Sequence, residues 1–99
     1  MLKTYYHATP FENVDSIMCK GILCGVDGVV YLTENKEDAA RFLIVRGCKD
    51  ILTVEVVIDD KNVEETFDHS YQFFKCRAFG YGDNIKPSEI FNLYRTKLP

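Results

Sequence analysis

The chain has no long hydrophobic run, and its first residues lack the basic and then apolar pattern of a secretory signal. A membrane-spanning helix needs about 20 consecutive apolar residues, and no stretch of this sequence approaches that length. The sequence therefore predicts a protein that does not insert into a membrane and that resides in the cytoplasm.

Ligand patterns for a metal ion are missing as well. The 4 cysteines form no C-x-x-C pair, and the chain has only 2 histidines. Structural zinc sites take their Cys and His ligands in closely spaced pairs. We therefore predict no metal site, and reduced thiols that are mostly buried.

An excess of positive charge is also absent. The 12 Lys and Arg residues are outnumbered by 15 Asp and Glu residues, which gives a net charge of -3. Non-specific binding to a nucleic-acid backbone relies on a basic surface, so the composition gives no support for it, although a local basic patch stays possible. A phosphate-binding loop is missing too, because the glycine-rich GYGDN segment lacks the lysine that such a loop requires.

What the sequence does contain is enough for one folded domain. With 99 residues, of which 46% are hydrophobic, the chain can bury a single core, and we predict one domain over residues 1–99. Helix signals come early in the chain and strand signals finish it. This order predicts an α+β fold rather than a repeated βαβ arrangement.

Two helices are predicted from their end signals. The TPFE stretch at residues 9–12 offers an N-cap hydroxyl, a proline at the first helical position and a glutamate that closes a capping box. It predicts a helix over residues 10–20 that ends at Gly21. A second helix is predicted over residues 36–45, with Gly47 as its stop.

The remaining regular segments are predicted to be strands. A short aromatic strand opens the chain, and four further strands are predicted over residues 29–32, 50–60, 71–79 and 90–95. The segment DILTVEVVIDD alternates most clearly and predicts one face formed by Leu52, Val54, Val56 and Ile58. Either Thr33 or Asn35 is expected to cap the second helix.

Four segments, in order, resemble the ADP-ribosyltransferase-like superfamily. They read YYHATPFENVDSIMCKGI, VVYLTENKEDAARF, LTVEVVID and IKPSEI. They are similar in particular to the branch that contains the RNA 2'-phosphotransferases, the rifampin ADP-ribosyltransferases and the DNA-modifying ADP-ribosyltransferase toxins. In those families a histidine ends the first strand, and a VYLT-like strand supplies an aromatic residue or a second histidine. The resemblance implies a single compact domain, with the two early helices packed on a mostly antiparallel split β-sheet.

This resemblance assigns roles to residues of the first two segments. His7 falls on the histidine that hydrogen-bonds the ribose hydroxyls of NAD, and Ala8 and Thr9 would join the same binding surface. Tyr31 falls on the aromatic residue that packs against the nicotinamide ring, and Thr33 follows on the same strand. The residues themselves also allow a strand-end histidine bonded to the backbone, an ordinary core tyrosine and a helix-capping threonine.

The catalytic acid of these transferases does not appear at its usual place. That acid lies on the strand that here reads YQFFKCRAF, which contains no Asp or Glu. By analogy with the phosphotransferase branch, Arg77 of this stretch would bind a substrate phosphate. Glu89 within IKPSEI, or alternatively Asp83, would supply a carboxylate to the sugar that becomes positively charged. Glu89 is equally compatible with a solvated carboxylate at the start of a strand.

Taken together, the resemblance predicts a transferase that binds NAD, or a related ADP-ribose donor, as its substrate. His7, Tyr31 and Glu89 are the predicted catalytic residues, and the acceptor would be a protein or a nucleic acid. The alternative is a catalytically inactive module of the same fold, for nucleotide binding or for protein interaction. The missing acid favours this alternative.

Overall fold

The strands of this protein pair into one antiparallel sheet, and two helices pack against it. A computed structural model describes residues 1–25, 28–66 and 78–99. In chain order, its helices and strands are β1 (Leu2–Pro10), α1 (Val14–Lys20), β2 (Val30–Thr33), α2 (Lys36–Val45), β3 (Asp50–Asp59), β4 (Val63–Thr66), β5 (Ala78–Tyr81) and β6 (Ile90–Lys97). The predicted α+β class is confirmed.

The two central strands of the sheet, β2 and β1, share very little pairing. The six described strands follow the order β4-β5-β2-β1-β3-β6, and every pairing is antiparallel. β1 pairs with β3 along its whole length, whereas β1 and β2 share only the pair Tyr6 and Thr33. The sheet is therefore continuous rather than split, but its two halves, β4-β5-β2 and β1-β3-β6, meet at this one pair, which we call the central junction.

β3 is buried on both of its faces. The alternating positions predicted to share one face, from Leu52 to Ile58, are buried in one cluster with Ile17 of α1. The residues between them are buried as well, namely Ile51, Thr53 and Glu55. α2 packs against β1 and β3 and covers this second face of the sheet. The clean alternation of the sequence thus belongs to a strand that has protein on both sides.

The start of the first helix differs from the prediction. β1 continues its pairing with β3 through Pro10, so the residue after Thr9 is extended rather than helical, and Thr9 does not precede a first helical turn. A 3₁₀ turn follows at Phe11–Asn13, and α1 begins only at Val14. The Thr9 hydroxyl instead accepts a hydrogen bond from Asn13 Nδ2 at 2.8 Å. The capping-box prediction was wrong because pairing with β3 holds these residues in the sheet.

The second helix has the predicted bounds, but the predicted N-cap bond at its start does not form. α2 runs from Lys36 to Val45, and Gly47 beyond it has a φ of 87°, as expected for a glycine stop. Neither predicted cap bonds a free amide of the first turn. The Thr33 hydroxyl donates to the Asn35 carbonyl at 2.6 Å, and the Asn35 amide donates to Asp38 at 3.2 Å. The chain is therefore held at the start of α2 by side-chain bonds other than the predicted N-cap.

The predicted strand over residues 71–79 is described only where β5 begins, at Ala78, and the rest of it lies outside the described residues. In the described ranges, α1 has 7 residues and α2 has 10, and neither is long and apolar enough to cross a membrane.

Candidate functional site

A cleft of about 370 Å³ lies at the central junction. β1, β2, α2 and the first residue of β5 all contribute to its walls. Consecutive residues of β1, from Tyr6 to Ala8, and of β2, from Tyr31 to Thr33, line the same cleft. Consecutive residues of a strand point to opposite faces of a sheet, and they can line one cleft here because β1 and β2 stop pairing with each other beyond the pair Tyr6 and Thr33. The volume falls in the range of small-ligand pockets.

A groove of similar volume, about 380 Å³, lies on the surface between α1 and β6. Its described walls are apolar apart from one amide side chain, that of Asn92, and none of them carries a titratable group. The cleft at the central junction is lined by a histidine, two tyrosines and an arginine. Groups that bind or transform a polar ligand are therefore found in the cleft, which we take as the candidate site.

The structure brings most of the predicted residues to this cleft. His7, Ala8, Tyr31 and Thr33 all line it. Thr9 does not, because its side chain bonds to Asn13 in the turn after β1. Arg77, the predicted phosphate-binding residue, lies outside the described residues.

His7 bridges the central junction with its ring. Its Nδ1 atom lies 2.8 Å from the carbonyl oxygen of Tyr31. A carbonyl only accepts hydrogen bonds, so Nδ1 carries the proton and Nε2 of the neutral ring is left as an acceptor. Burial lowers the pKa of His7, and the bond to the carbonyl opposes that shift only partly. His7 is therefore a neutral histidine at physiological pH that bonds to the backbone and also lines the cleft.

Tyr31 is not a core tyrosine. It is 48% exposed, whereas its neighbours Val30 and Leu32 are 2% and 1% exposed. The expectation of an ordinary buried tyrosine is thereby excluded. An aromatic side chain that is half exposed at a cleft can stack on a flat ligand ring, which typically contributes about 1 kcal/mol beyond simple burial.

α2 adds a cation to the cleft that was not predicted as a site residue. Ala39, Phe42, Leu43 and Arg46 line the cleft at the i, i+3, i+4 and i+7 spacing of one helix face. Arg46 is exposed, and its guanidinium forms no ion pair within residues 1–25, 28–66 and 78–99. A guanidinium without a carboxylate partner suits a phosphate group. The helical spacing of the sequence places Arg46 on the same face as the other three residues. Nothing in the sequence showed that this face of α2 meets the cleft.

The described walls of the cleft hold no carboxylate. β5 contributes Ala78, which is 3% exposed and lies opposite Thr33 of β2. Glu89 is in the 3₁₀ turn Pro87–Glu89, where its Oε1 atom accepts a hydrogen bond from the Lys86 amide at 2.9 Å. The prediction that Glu89 reaches the cleft is corrected, because its carboxylate caps its own turn.

A buried carboxylate does lie directly behind the cleft wall. Glu55 of β3 is 8% exposed and is the cross-strand partner of Tyr6, which lines the cleft. Its Oε1 atom accepts a hydrogen bond from the Tyr94 hydroxyl at 2.8 Å. No role was predicted for Glu55, because its position beside Tyr6 depends on the register between β1 and β3.

Comparison with known proteins leaves the assignment at the level of the fold. No protein-family model matches the chain, and no curated protein matches it either. The molecule is thus defined by its architecture, an α+β domain whose six described strands form one sheet, with a cleft at the central junction.

Proposed function

We propose that this domain binds NAD or an ADP-ribose-type nucleotide in the cleft at the central junction. The observation that carries the proposal is that His7, Tyr31 and Arg46, from three different elements, line one cleft. An aromatic side chain, a neutral acceptor and a cation correspond to the flat ring, the hydroxyls and the phosphates of such a ligand. The resemblance of the sequence to ADP-ribosyltransferase-like proteins points to the same ligand.

Each of the three side chains has a specific part in this proposal. The ring of Tyr31 packs against the nicotinamide or the adenine. The Nε2 atom of His7 accepts a hydrogen bond from a ribose hydroxyl, since its Nδ1 proton is already bonded to the Tyr31 carbonyl. Arg46 at the end of α2 neutralises a phosphate.

The reaction proposed for the bound nucleotide is transfer of ADP-ribose to a protein or nucleic-acid acceptor. Breaking the bond between nicotinamide and ribose develops positive charge on the sugar, and a carboxylate facing it would stabilise that charge. The described walls of the cleft offer none, and β5 contributes Ala78 there. This observation favours a second candidate function, a catalytically inactive nucleotide-binding or protein-interaction module.

Calorimetric titration with NAD and with ADP-ribose tests the proposed ligand. The wild-type protein should give saturable heat, and Arg46→Gln should lower the affinity about tenfold, because a hydrogen bond to a charged group is lost. Arg41→Gln is the matched control: Arg41 is on the same helix, it pairs with Asp38 at 3.8 Å, and it does not line the cleft. The absence of heat with both ligands would refute the proposal.

A second measurement separates the transferase from the inactive module. Nicotinamide released from NAD is followed by chromatography, with and without a protein or RNA acceptor. Release that disappears in His7→Ala supports the transferase. Saturable binding without any release supports the inactive module.

A further inference from the structure

Glu55 is a buried acidic residue to which the proposed nucleotide binding assigns no role. It lies on β3 directly opposite Tyr6 of β1, and it is 8% exposed. Side chains of directly opposed residues in an antiparallel pair have their Cβ atoms about 4.5–5.5 Å apart on the same face of the sheet. Glu55 and Tyr6 are therefore neighbours on one face of the sheet, and Tyr6 lines the cleft.

The direction of the hydrogen bonds around Glu55 follows from which groups can donate. A carboxylate oxygen accepts hydrogen bonds, and the hydroxyl of a phenol beside it is the group that can donate. The Tyr94 hydroxyl donates to Oε1 at 2.8 Å and in turn accepts from Asn92 Nδ2 at 3.2 Å. Burial raises the pKa of Tyr6, and the charge and hydrogen bonding of Glu55 raise it further, so Tyr6 keeps its proton at neutral pH. Glu55, directly opposite Tyr6 in the sheet, is therefore an acceptor beside the Tyr6 phenol.

We infer that Glu55 is a positioning residue: it holds the Tyr6 proton, so that the Tyr6 oxygen presents only lone pairs to the cleft and selects a ligand with a hydrogen-bond donor there. His7 has the same polarity, because its Nδ1 proton is held by the Tyr31 carbonyl. The inner wall of the cleft thus offers two acceptors, from Tyr6 and His7. This inference rests on the proposed nucleotide binding, and it specifies which part of the nucleotide faces β1.

The donors that NAD can offer to such a wall are its carboxamide N–H group and its ribose hydroxyls. A probe that lacks one donor at nearly unchanged size isolates each contact. The 3-acetylpyridine analogue of NAD has a methyl group in place of the carboxamide NH2, so it lacks the N–H donors without a change in charge. Two further analogues carry fluorine in place of the 2'- or 3'-hydroxyl of the nicotinamide-side ribose. We expect wild-type protein to bind at least one of the three about tenfold more weakly than NAD, because an acceptor in the cleft is left unpaired.

The test compares these affinity ratios among variants. Glu55→Gln supplies an amide that donates to the Tyr6 oxygen, which frees the Tyr6 proton to turn towards the cleft. Glu55→Gln and Tyr6→Phe should both bring the discriminating ratio to within about twofold of one. Tyr94→Phe is the matched control, because it removes the other phenol that donates to Glu55 and leaves Tyr6 in place. It should keep the wild-type ratio.

The outcomes separate this inference from the proposed function. If wild-type protein does not bind NAD, the proposed function fails and the inference fails with it. If NAD binds but Glu55→Gln keeps the wild-type ratios for all three analogues, the inference alone is overturned. A purely structural role of Glu55 would weaken NAD and its analogues equally, and the unchanged ratios would reveal it even if stability falls.

Discussion

At the scale of single residues, His7 links the stability of the domain to pH. Burial lowers its pKa below the usual value of about 6.5. Between the lowered value in the folded state and the ordinary value in the unfolded state, only the unfolded chain takes up the proton. The stabilisation is therefore present above about pH 6.5 and is lost as the pH falls through the pKa of the folded state.

We predict that replacing His7 with Asn removes this part of the acid sensitivity. Asn retains an N–H donor that can bond to the Tyr31 carbonyl, and it does not titrate. Urea unfolding of both proteins at pH 8 and pH 5 measures the effect, and all other titrating groups are common to the two proteins. The loss of stability between these pH values should be smaller for His7→Asn. An equal loss would show that the histidine is not held neutral in the folded state.

The sequence predicted some of the residues at the cleft but not Glu55, and the reason is geometric. His7, Ala8, Tyr31 and Thr33 were predicted at the site, and all four line the cleft. Glu55 was not, since its place beside Tyr6 follows from the β1–β3 register. A slip of one residue would have turned it to the other face, and the sequence does not specify the register of strands that are far apart in the chain.

At the scale of elements, the helices show which signals are robust. Gly21 and Gly47 end α1 and α2 as predicted, and both have positive φ values, 78° and 87°. The predicted start of the first helix was wrong, because pairing with β3 holds Thr9 and Pro10 in the sheet despite the local capping signal. A backbone conformation that favours glycine survives in its tertiary context, whereas a side-chain cap is easily replaced by another hydrogen bond.

Gly21 and Gly47 differ in their surroundings, so we expect alanine to destabilise the protein more at one than at the other. A Cβ atom at Gly21 would overlap the carbonyl oxygen of Ile85, whereas a Cβ atom at Gly47 would meet nothing within 4 Å. Gly47→Ala should therefore cost only the left-handed strain, about 1–2 kcal/mol. Gly21→Ala must also displace Ile85, which is bridged to Ile22.

Thermal unfolding of both alanine variants checks this difference. In a domain of about 100 residues, each kcal/mol lowers the melting temperature by about 4–8 °C. Gly47→Ala should melt several degrees below the wild type, and Gly21→Ala clearly lower again. Equal melting temperatures for the two variants would contradict the close approach of residues 21 and 85.

At the scale of the whole molecule, the two halves of the sheet are unequal. β1 and β3 are 9 and 10 residues long and pair along the whole of β1. In the other half, β2 has 4 residues, and the described parts of β4 and β5 have 4 residues each. Among the described residues, the halves are joined by the pair Tyr6 and Thr33, by the His7 bond to the Tyr31 carbonyl, and by core packing such as the contact of Tyr5 with Phe79, whose ring centroids lie 5.5 Å apart. Local opening is easiest where few backbone hydrogen bonds oppose it, and β1 and β2 share only one strand pair, so we expect the sheet to open first at the central junction.

Native-state hydrogen exchange should therefore show two levels of protection. Amides of β2 and β5 are expected to exchange faster than those of β1 and β3, because they open without global unfolding. NAD bound in the cleft as proposed would contact both halves and stabilise only the closed sheet, so saturating NAD should slow exchange in β2 while changing the already protected centre of β3 much less. His7→Ala should speed exchange in β2 and β5 by removing a bond across the junction. Equal protection in both halves without ligand would show instead that the sheet opens as one unit and that the two halves beside the cleft do not open independently.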